Sequence, residues 1–137
     1  MTITYTEEKK FTQDQIQELF QSVNWISSEY PQRLHKALMN SSTVITAWEG
    51  NQLAGLIRVL DDSELLAQIH YVLVNPKFQG QGIAGNLVEM VKEKYKDYLY
   101  IEGMPEDKKN VPFYEKLGFT LMENGAAIQI YNPGKKY

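Results

Sequence analysis

Cysteine is absent from this 137-residue sequence, and histidine is scarce. The lack of cysteine excludes a disulfide framework, a thiolate metal site and a cysteine nucleophile, and it is typical of a reducing compartment. The two histidines, His35 and His70, lie too far apart in sequence to indicate a metal cluster. We therefore expect a protein without a bound metal.

A strong charge of one sign and a long apolar run are also missing. The formal net charge is only −3, whereas a general nucleic-acid binder normally carries a basic footprint. No stretch approaches the roughly 18 apolar residues of a membrane span, and the opening MTITYTEEKK lacks the apolar core of a signal peptide. We expect a cytoplasmic protein with neither a nucleic-acid nor a membrane partner.

The composition and length of the sequence are those of one small globular domain. Apolar residues make up 43% of the chain and charged residues 23%, which is ordinary for a globular protein. A chain of this length is large enough for a single hydrophobic core. We predict that residues 1–137 form a single domain.

The spacing of apolar residues predicts a mixed α/β fold with the order β-α-α-β-β-β-α-β-α-β. The predicted strands are TITYTEE, two runs joined around Glu49-Gly50-Asn51, ELLAQIHYVLVNP, DYLYIEG and AAIQIYN. The predicted helices are TQDQIQELFQSVNW with Thr12 as N-cap, PQRLHKALMN, GIAGNLVEMVKEKY, and NVPFYEKLG closed by Gly118. One βαβ unit spans roughly residues 65–103, antiparallel hairpin pieces precede it, and helices cover the faces of the sheet.

The stretch GQGIAG, residues 80–85, matches the dinucleotide-binding pattern G-x-G-x-x-G, and Glu102 lies about 20 residues downstream, where a ribose ligand is expected. The context contradicts that interpretation. The segment 75–79 separates Val74 from Gly80, although the dinucleotide turn is tight, and too few residues follow Glu102 for further βα units. A glycine loop at a helix start still predicts a pyrophosphate site, with a plain flexible loop as the alternative.

Two motifs in the longer stretch around the glycine loop resemble those of a known family. Gln79, Gly82 and Ala84 match the pattern Q/R-x-x-G-x-G/A, and NVPFYEKLGF, residues 110–119, looks like the signature F/Y-Y-E-K-L-G-F. Together they resemble the acetyl-CoA-binding motifs of the Gcn5-related N-acetyltransferase (GNAT) superfamily. The resemblance covers nearly the whole chain and is specific from about residue 65 to 120. It implies the acyl-CoA N-acyltransferase fold, a mixed, mostly antiparallel sheet with a splayed central βαβ unit and helices on both faces.

The resemblance further implies an N-acetyltransferase that moves acetyl from acetyl-CoA to a primary amine, with a small-molecule amine as acceptor, by direct attack in a ternary complex. Backbone N–H groups of the glycine loop would hold the pyrophosphate, and the central strand would pair with the pantetheine arm. The implied cofactor-binding residues are Val72, Leu73, Val74, Gln79, Gly80, Gln81, Gly82, Ile83, Ala84, Gly85, Asn110, Phe113, Tyr114 and Lys116. Gln79 stands where the family frequently has arginine, so phosphate binding leans more on backbone donors.

The resemblance makes Tyr114 the candidate general acid, a role that suits a phenol, which is protonated at neutral pH and can donate to a departing thiolate. Its alternative role is packing in the core. His70 and Glu102 are the tentative candidates for the base, with a core histidine and an exposed strand end as their alternatives.

Further candidates for the base are a water chain and the acidic turn that holds Asp61, Asp62 and Glu64. The family usually sets acceptor specificity with its first two helices and the loop joining them, here with Trp25, Glu29, Tyr30 and Arg33. Trp25 and Tyr30 also suit a core or a homodimer surface. A domain that binds acyl-CoA without turnover is the second functional hypothesis.

Overall fold

The computed structural model describes residues 2–137 and contains a five-stranded sheet in the order β1-β2-β3-β4-β5. The strands are β1 (Thr4–Thr6), β2 (Thr43–Glu49), β3 (Gln52–Asp61), β4 (Leu66–Val74) and β5 (Tyr100–Gly103). The helices are α1 (Gln13–Ser22), α2 (Pro31–Met39), α3 (Ile83–Lys94) and α4 (Val111–Lys116). Strands β1 to β4 are antiparallel neighbours and β5 lies parallel to β4, so the expected mixed sheet and its βαβ unit are confirmed.

Local signals correctly predicted two helix ends, the start of α1 and the end of α4, whereas α1 ends at Ser22 and not at the predicted Trp25. The Thr12 side chain accepts a hydrogen bond from the Gln15 backbone N–H at 3.1 Å, and the Gln15 side chain accepts one from the Thr12 N–H at 2.9 Å. At the end of α4, Gly118 has φ +94°, a conformation that glycine adopts at no steric cost. Its N–H donates to the carbonyl of Glu115 at 3.0 Å. Both predicted caps are present.

Apolar side chains form a core on each face of the sheet. Ile57, Ile69, Leu87 and Val91 belong to the core between the sheet and α3, against which the side chains of α4 also pack. The core under α1 and α2 contains Ile16, Phe20, Leu38, Leu56 and Leu73. Helices therefore lie on both faces, as expected from the amphipathic patterns.

A bulge interrupts the alternation of β4. Arg58 of β3 pairs with Tyr71, while the next residue, Val59, pairs with Ile69, so His70 is an extra residue in the ladder. Ile69 consequently packs in the α3-side core, and Tyr71 packs against the core under α1 and α2. The bulge decides which side chains of β4 face the first two helices.

The parallel pairing of β4 with β5 is short. It runs from the pair Leu66–Tyr100 to the pair Ile69–Gly103 and then stops. Among residues 2–137, no strand pairs with β4 on this side beyond Ile69. The sheet therefore opens along the second half of β4, up to Val74.

The prediction of a final strand at AAIQIYN, residues 126–132, is wrong. Residues 119–137, all of them described, form neither strand nor helix, and the side chains of Ile128 and Ile130 are 96% and 86% exposed. Apolar alternation shows that a segment could pair, whereas a strand also needs a neighbouring edge within reach. The chain end instead reaches α2, where the Gly134 N–H donates to the Tyr30 hydroxyl and Arg33 donates to the Lys135 carbonyl.

Gly55 of β3 permits a close approach to β4. A Cβ added there would lie 2.8 Å from the backbone oxygen of Leu73 and 3.4 Å from a methyl carbon of Ile83. A strand backbone cannot move aside like a flexible side chain, so we expect Gly55→Ala to destabilise the fold by about 1–3 kcal/mol. Urea unfolding measures the change.

Gly103→Ala is the matched control, because its added Cβ would meet Ile69 at 3.4 Å, close to ordinary contact. We expect a smaller loss of stability for this variant than for Gly55→Ala. Equal unfolding midpoints for Gly55→Ala and the wild type would refute the packing argument.

Candidate active site

A cavity of about 430 Å³ lies where β4 ends and α3 begins. Its walls come from β4, the glycine loop, the start of α3 and the start of α4. The lining residues are Val72, Leu73, Val74, Phe78, Gln79, Gly80, Gly82, Ile83, Ala84, Gly85, Asn110, Phe113 and Tyr114. The cavity thus brings together the residues named from sequence for cofactor binding, except Gln81 and Lys116, whose side chains are exposed.

The segment between β4 and the glycines has a defined structure. The Asn75 side chain accepts a hydrogen bond from the Lys77 N–H at 3.0 Å and caps a 3₁₀ turn over Pro76–Phe78. The Asn75 N–H donates to the carbonyl of Ala54 at 2.8 Å, and the Phe78 ring is fully buried. These contacts fix the loop to the sheet directly before the glycines. Gln79 of this segment was predicted from sequence as a cofactor-binding residue, whereas Phe78, which also lines the cavity, was not.

The glycine loop forms an open cradle at the start of α3. Gly80 and Gly82 have φ values of +84° and +76°, in the left-handed region that favours glycine. A Cβ added at Gly80, Gly82 or Gly85 would meet no atom within 4 Å among the described residues, so the space in front of the loop is open. Gly82 is the N-cap of the 12-residue helix α3, and no side chain of residues 2–137 caps this helix start. Its first N–H groups and the positive end of its dipole suit a phosphate oxygen.

Tyr114 lies on α4 and lines the cavity. Its ring packs edge-on against Phe113, with centroids 4.9 Å apart, and against Phe119 at 5.7 Å. Burial raises the pKa of the Tyr114 phenol, so it is protonated at neutral pH. No residue within 2–137 hydrogen-bonds to its hydroxyl, which leaves the proton available to a ligand in the cavity.

Tyr95 shows the contrasting, structural use of a tyrosine. Its hydroxyl donates to Asp61 at 2.6 Å and lies 2.6 Å from the hydroxyl of Thr43. Burial and the hydrogen bond to Asp61 raise the pKa of Tyr95 above its ordinary value. These contacts tie the end of α3 to the ends of β2 and β3.

The acidic turn lies away from the glycine loop. One carboxylate oxygen of Asp62 accepts hydrogen bonds from the N–H groups of Glu64, Leu65 and Leu66, which lower the pKa of Asp62. The turn precedes β4, whereas the loop follows it, and the nine residues of β4 span about 30 Å. The structure therefore does not bring Asp61, Asp62 or Glu64 to the cavity.

His70 accepts a hydrogen bond from an arginine. Its Nδ1 lies 2.8 Å from Nη1 of Arg58, and a guanidinium can only donate hydrogen bonds. The neutral imidazole consequently carries its proton on Nε2. Partial desolvation of the ring, followed by the charge of Arg58, lowers the pKa of His70. In this arrangement the imidazole keeps no unshared lone pair with which to accept a proton from an amine.

Glu102 lies on β5 beside Gln68 of β4 in the parallel register. Its side chain is partly buried and makes no hydrogen bond or ion pair with the residues that the structure describes. It is not part of the cavity wall, but it is close to the point where β4 and β5 separate, one residue before Gly103.

The residues expected to line an acceptor site have different neighbours. Trp25 packs against Tyr71, with ring centroids 5.7 Å apart, and the Tyr71 hydroxyl lies 2.7 Å from that of Ser27. Tyr30 and Arg33 instead hold the C-terminal segment, and Glu29 is exposed. Only Trp25 of this predicted set lies against the central strand.

No group of three or more metal-ligating side chains comes together within residues 2–137. Over the same residues, no helix is both long enough and apolar enough to span a bilayer.

Comparisons with known proteins agree with this geometry. A family model of the acetyltransferase (GNAT) domain matches residues 3–127. An uncharacterized N-acetyltransferase of Prochlorococcus marinus is 28% identical over 133 residues, covering 90% of this chain and 71% of the relative. A counterpart from Gracilaria tenuistipitata var. liui is 30% identical over 125 residues, with coverage of 86% and 67%. The structure of a GNAT-family acetyltransferase from Streptococcus pneumoniae superposes with a TM-score of 0.81 at 25% identity, covering 97% of this chain and 100% of that one.

The chain therefore belongs to the GNAT acetyltransferase family, as the two sequence motifs indicated. Members of this family generally use acetyl-CoA, and the open glycine cradle fits the pyrophosphate of such a ligand.

The cradle can be tested at Gly82. An alanine there would be strained at φ +76° and would place a methyl group in the space in front of the loop. We expect Gly82→Ala to weaken coenzyme A binding about ten- to hundredfold, the range for losing hydrogen bonds to a charged group. Isothermal titration calorimetry measures the affinity.

Gly50→Ala is the matched control for backbone strain. Gly50 has φ +57°, faces open space and lies in the β2–β3 turn, away from the cavity lining. Both variants should lose about 1 kcal/mol of stability, and only Gly82→Ala should lose affinity. Unchanged affinity of Gly82→Ala for coenzyme A would contradict the assignment of the cradle.

Proposed function

We propose that this protein is an acetyl-CoA-dependent N-acetyltransferase, folded as one domain over residues 1–137, that acetylates the primary amine of a small molecule. The observation that carries the proposal is the opening of the sheet beside β4, with the glycine cradle at one end of the opening and Tyr114 in its wall. Membership of the GNAT family supports the reaction class.

The cradle would bind the pyrophosphate. Its donors are backbone N–H groups at the start of α3, where Gly80, Gly82 and Gly85 carry no side chain to keep a phosphate away. Gln79 lines the same cavity and adds a neutral amide donor. Binding would therefore depend on the helix dipole and on fixed N–H groups.

The exposed edge of β4 would bind the pantetheine arm. Backbone groups on the unpaired side of Val72 to Val74 lack a neighbouring strand in residues 2–137, and an extended amide chain can satisfy them as an added strand would. A backbone N–H on this edge would polarise the thioester carbonyl.

The thioester of acetyl-CoA supplies an activated acyl group, whose C–S bond breaks as a C–N bond to the amine forms. Tyr114 would donate its phenolic proton to the departing sulfur. Because burial raises the pKa of this phenol, the acid form persists across the neutral range, and loss of activity through its ionisation should appear only above about pH 10.

The proton released by the amine needs a separate acceptor. The hydrogen bond from Arg58 occupies the lone pair of His70, and the carboxylates of Asp61 and Asp62 are engaged at the far end of β4. Of the two candidate bases, His70 and Glu102, the position of Glu102 where the strands separate favours Glu102. Water is the alternative proton acceptor.

Tyr114→Phe tests the general acid. We expect kcat to fall about ten- to a thousandfold, while the Kd for coenzyme A stays nearly constant, because the ring packing survives and only the hydroxyl group is lost. Steady-state assays of thiol release, combined with calorimetry, separate the two quantities. Wild-type turnover in this variant would overturn the role of Tyr114.

Tyr95→Phe is the control. The same chemical change at this position removes hydrogen bonds to Asp61 and Thr43. We expect a loss of about 1–2 kcal/mol in unfolding free energy with kcat unchanged. A comparable fall of kcat in both variants would indicate a general structural effect.

The overall function is tested by a thermal-shift and thiol-release experiment. We expect coenzyme A to raise the melting temperature and NAD and FAD to leave it unchanged. With acetyl-CoA present, a panel of primary amines should include at least one that releases free thiol. Stabilisation by coenzyme A without thiol release on any amine would favour the non-catalytic binding domain.

A further inference from the structure

Arg58 is the one charged residue in an apolar stretch of β3, residues 53–60. It interrupts the run LAGLIRVL, residues 53–60 of β3, and its side chain is partly buried on the sheet face that carries α1 and α2. Arg58 was not among the site residues predicted from sequence, although a single charge within such an apolar run is a signal. A partly buried charge normally has a partner of opposite sign or a functional role.

Arg58 has only neutral partners. Its Nε donates to the Ser41 hydroxyl at 2.8 Å, its Nη1 donates to Nδ1 of His70 at 2.8 Å, and the guanidinium lies 5.5 Å from the centre of the Tyr71 ring. Within residues 2–137, no carboxylate approaches Arg58 to 4.0 Å. A positive charge is thus held in place without a counter-ion, and several of its five N–H donors have no partner in the described chain.

His70 extends the same donor surface. Because Nδ1 accepts from Arg58, the neutral ring carries its proton on Nε2, and its side chain is exposed. The side chains of Arg58 and His70 therefore offer hydrogen-bond donors and no free acceptor. A ligand matched to such a surface carries an anionic oxygen, and a guanidinium is well suited to bind carboxylate or phosphate.

The donor pair, Arg58 and His70, lies beside the start of the cavity wall. Arg58 pairs across the sheet with Tyr71, and Tyr71 directly precedes Val72, the first residue of the cavity wall. His70 is the bulged residue just beyond Ile69, where β5 leaves β4. Tyr71 and Trp25 form an aromatic surface beside the pair. A molecule bound here would lie next to the open edge of β4, on the face of the first two helices.

We propose that Arg58 and His70 bind an oxyanion of the acceptor, so that the acetylated substrate is an amine that also carries a carboxylate or a phosphate. The inference rests on the proposed function and narrows it. It places amino acids and phosphorylated amines among the substrates, and it disfavours polyamines, which would bring only positive charge to the donor pair.

Matched pairs of amines test the proposal. One arm compares L-amino acids with their α-amides, a second compares phosphoethanolamine with ethanolamine, and spermidine serves as a purely cationic amine. We expect the wild type to prefer the anionic member of at least one pair by tenfold or more in kcat/KM. The arm that shows the preference distinguishes a carboxylate from a phosphate.

Arg58→Gln should remove the preference. The KM for the amine that carries the anionic group should rise about ten- to hundredfold, in the range of hydrogen bonds to a charged group, with little change for the matched amine that lacks this group or for acetyl-CoA. Arg58→Lys should recover part of the discrimination, since it retains the charge without the planar fork. Lys96→Gln, at an exposed lysine just beyond α3, should match the wild type.

A merely structural Arg58, linking β3 to Ser41 after α2, would give a different pattern. Melting temperature would fall, and both members of each pair would lose activity equally in Arg58→Gln. That result, or a wild type that uses the members without a carboxylate or phosphate equally well, overturns the proposal.

Direct binding separates this inference from the proposed function. Calorimetry of the anionic amines with the coenzyme A complex should show binding that Arg58→Gln weakens, even if no amine releases thiol. Absence of thiol release with Arg58-dependent binding would contradict the acetyltransferase proposal alone. Absence of binding by every anionic amine would contradict the oxyanion site.

Discussion

The short pairing between β4 and β5 is the constraint on which the rest of the structure depends. Four residues of each strand pair, and then the strands separate. Continued pairing would satisfy the backbone of Val72 to Val74 internally and would fill the space beside it. Because the pairing stops at Ile69 and Gly103, the second half of β4 keeps one edge for a ligand, while β3 holds its other edge in register.

Holding an open strand in place requires rigid surroundings. Gly55 lets β3 approach β4 closely at the end of the opening, and Asn75 ties the following turn back to Ala54. The bulge at His70 adds a second effect, since it turns Tyr71 toward the first two helices. One strand therefore serves both sides of the site: its edge faces the cavity, and the side chains at its bulge face the region beside α1 and α2.

Sequence reasoning succeeded where the determining interactions are local. Thr12 and Gly118 act within one turn of their own helices, and the glycine loop connects a strand directly to the helix that follows it. The apolar periods that placed helices on both faces are local as well. The cavity lining also followed from motifs, because the motif residues lie at the ends of elements that the topology brings together.

The remaining features depend on partners distant in sequence. The sequence of Leu66 to Val74 does not indicate where the pairing with β5 stops. The identity of His70 alone does not indicate that its Nδ1 accepts a hydrogen bond from Arg58. The segment around Ile128 and Ile130 has the alternation of a strand but no neighbouring edge in the described structure. A sequence pattern shows that a segment can form a strand, and the tertiary arrangement decides whether it does.

The burial of Phe78 has a consequence for ligand recognition. Phe78 before the glycines and Ile83 after them are both buried, so the loop between them is tethered to the core at each end. Much of the conformational entropy that a free glycine loop would lose on meeting an anion is already lost when the protein folds. Affinity at the loop is thereby coupled to packing in the interior, and a core substitution that loosens either tether would weaken binding without touching the ligand.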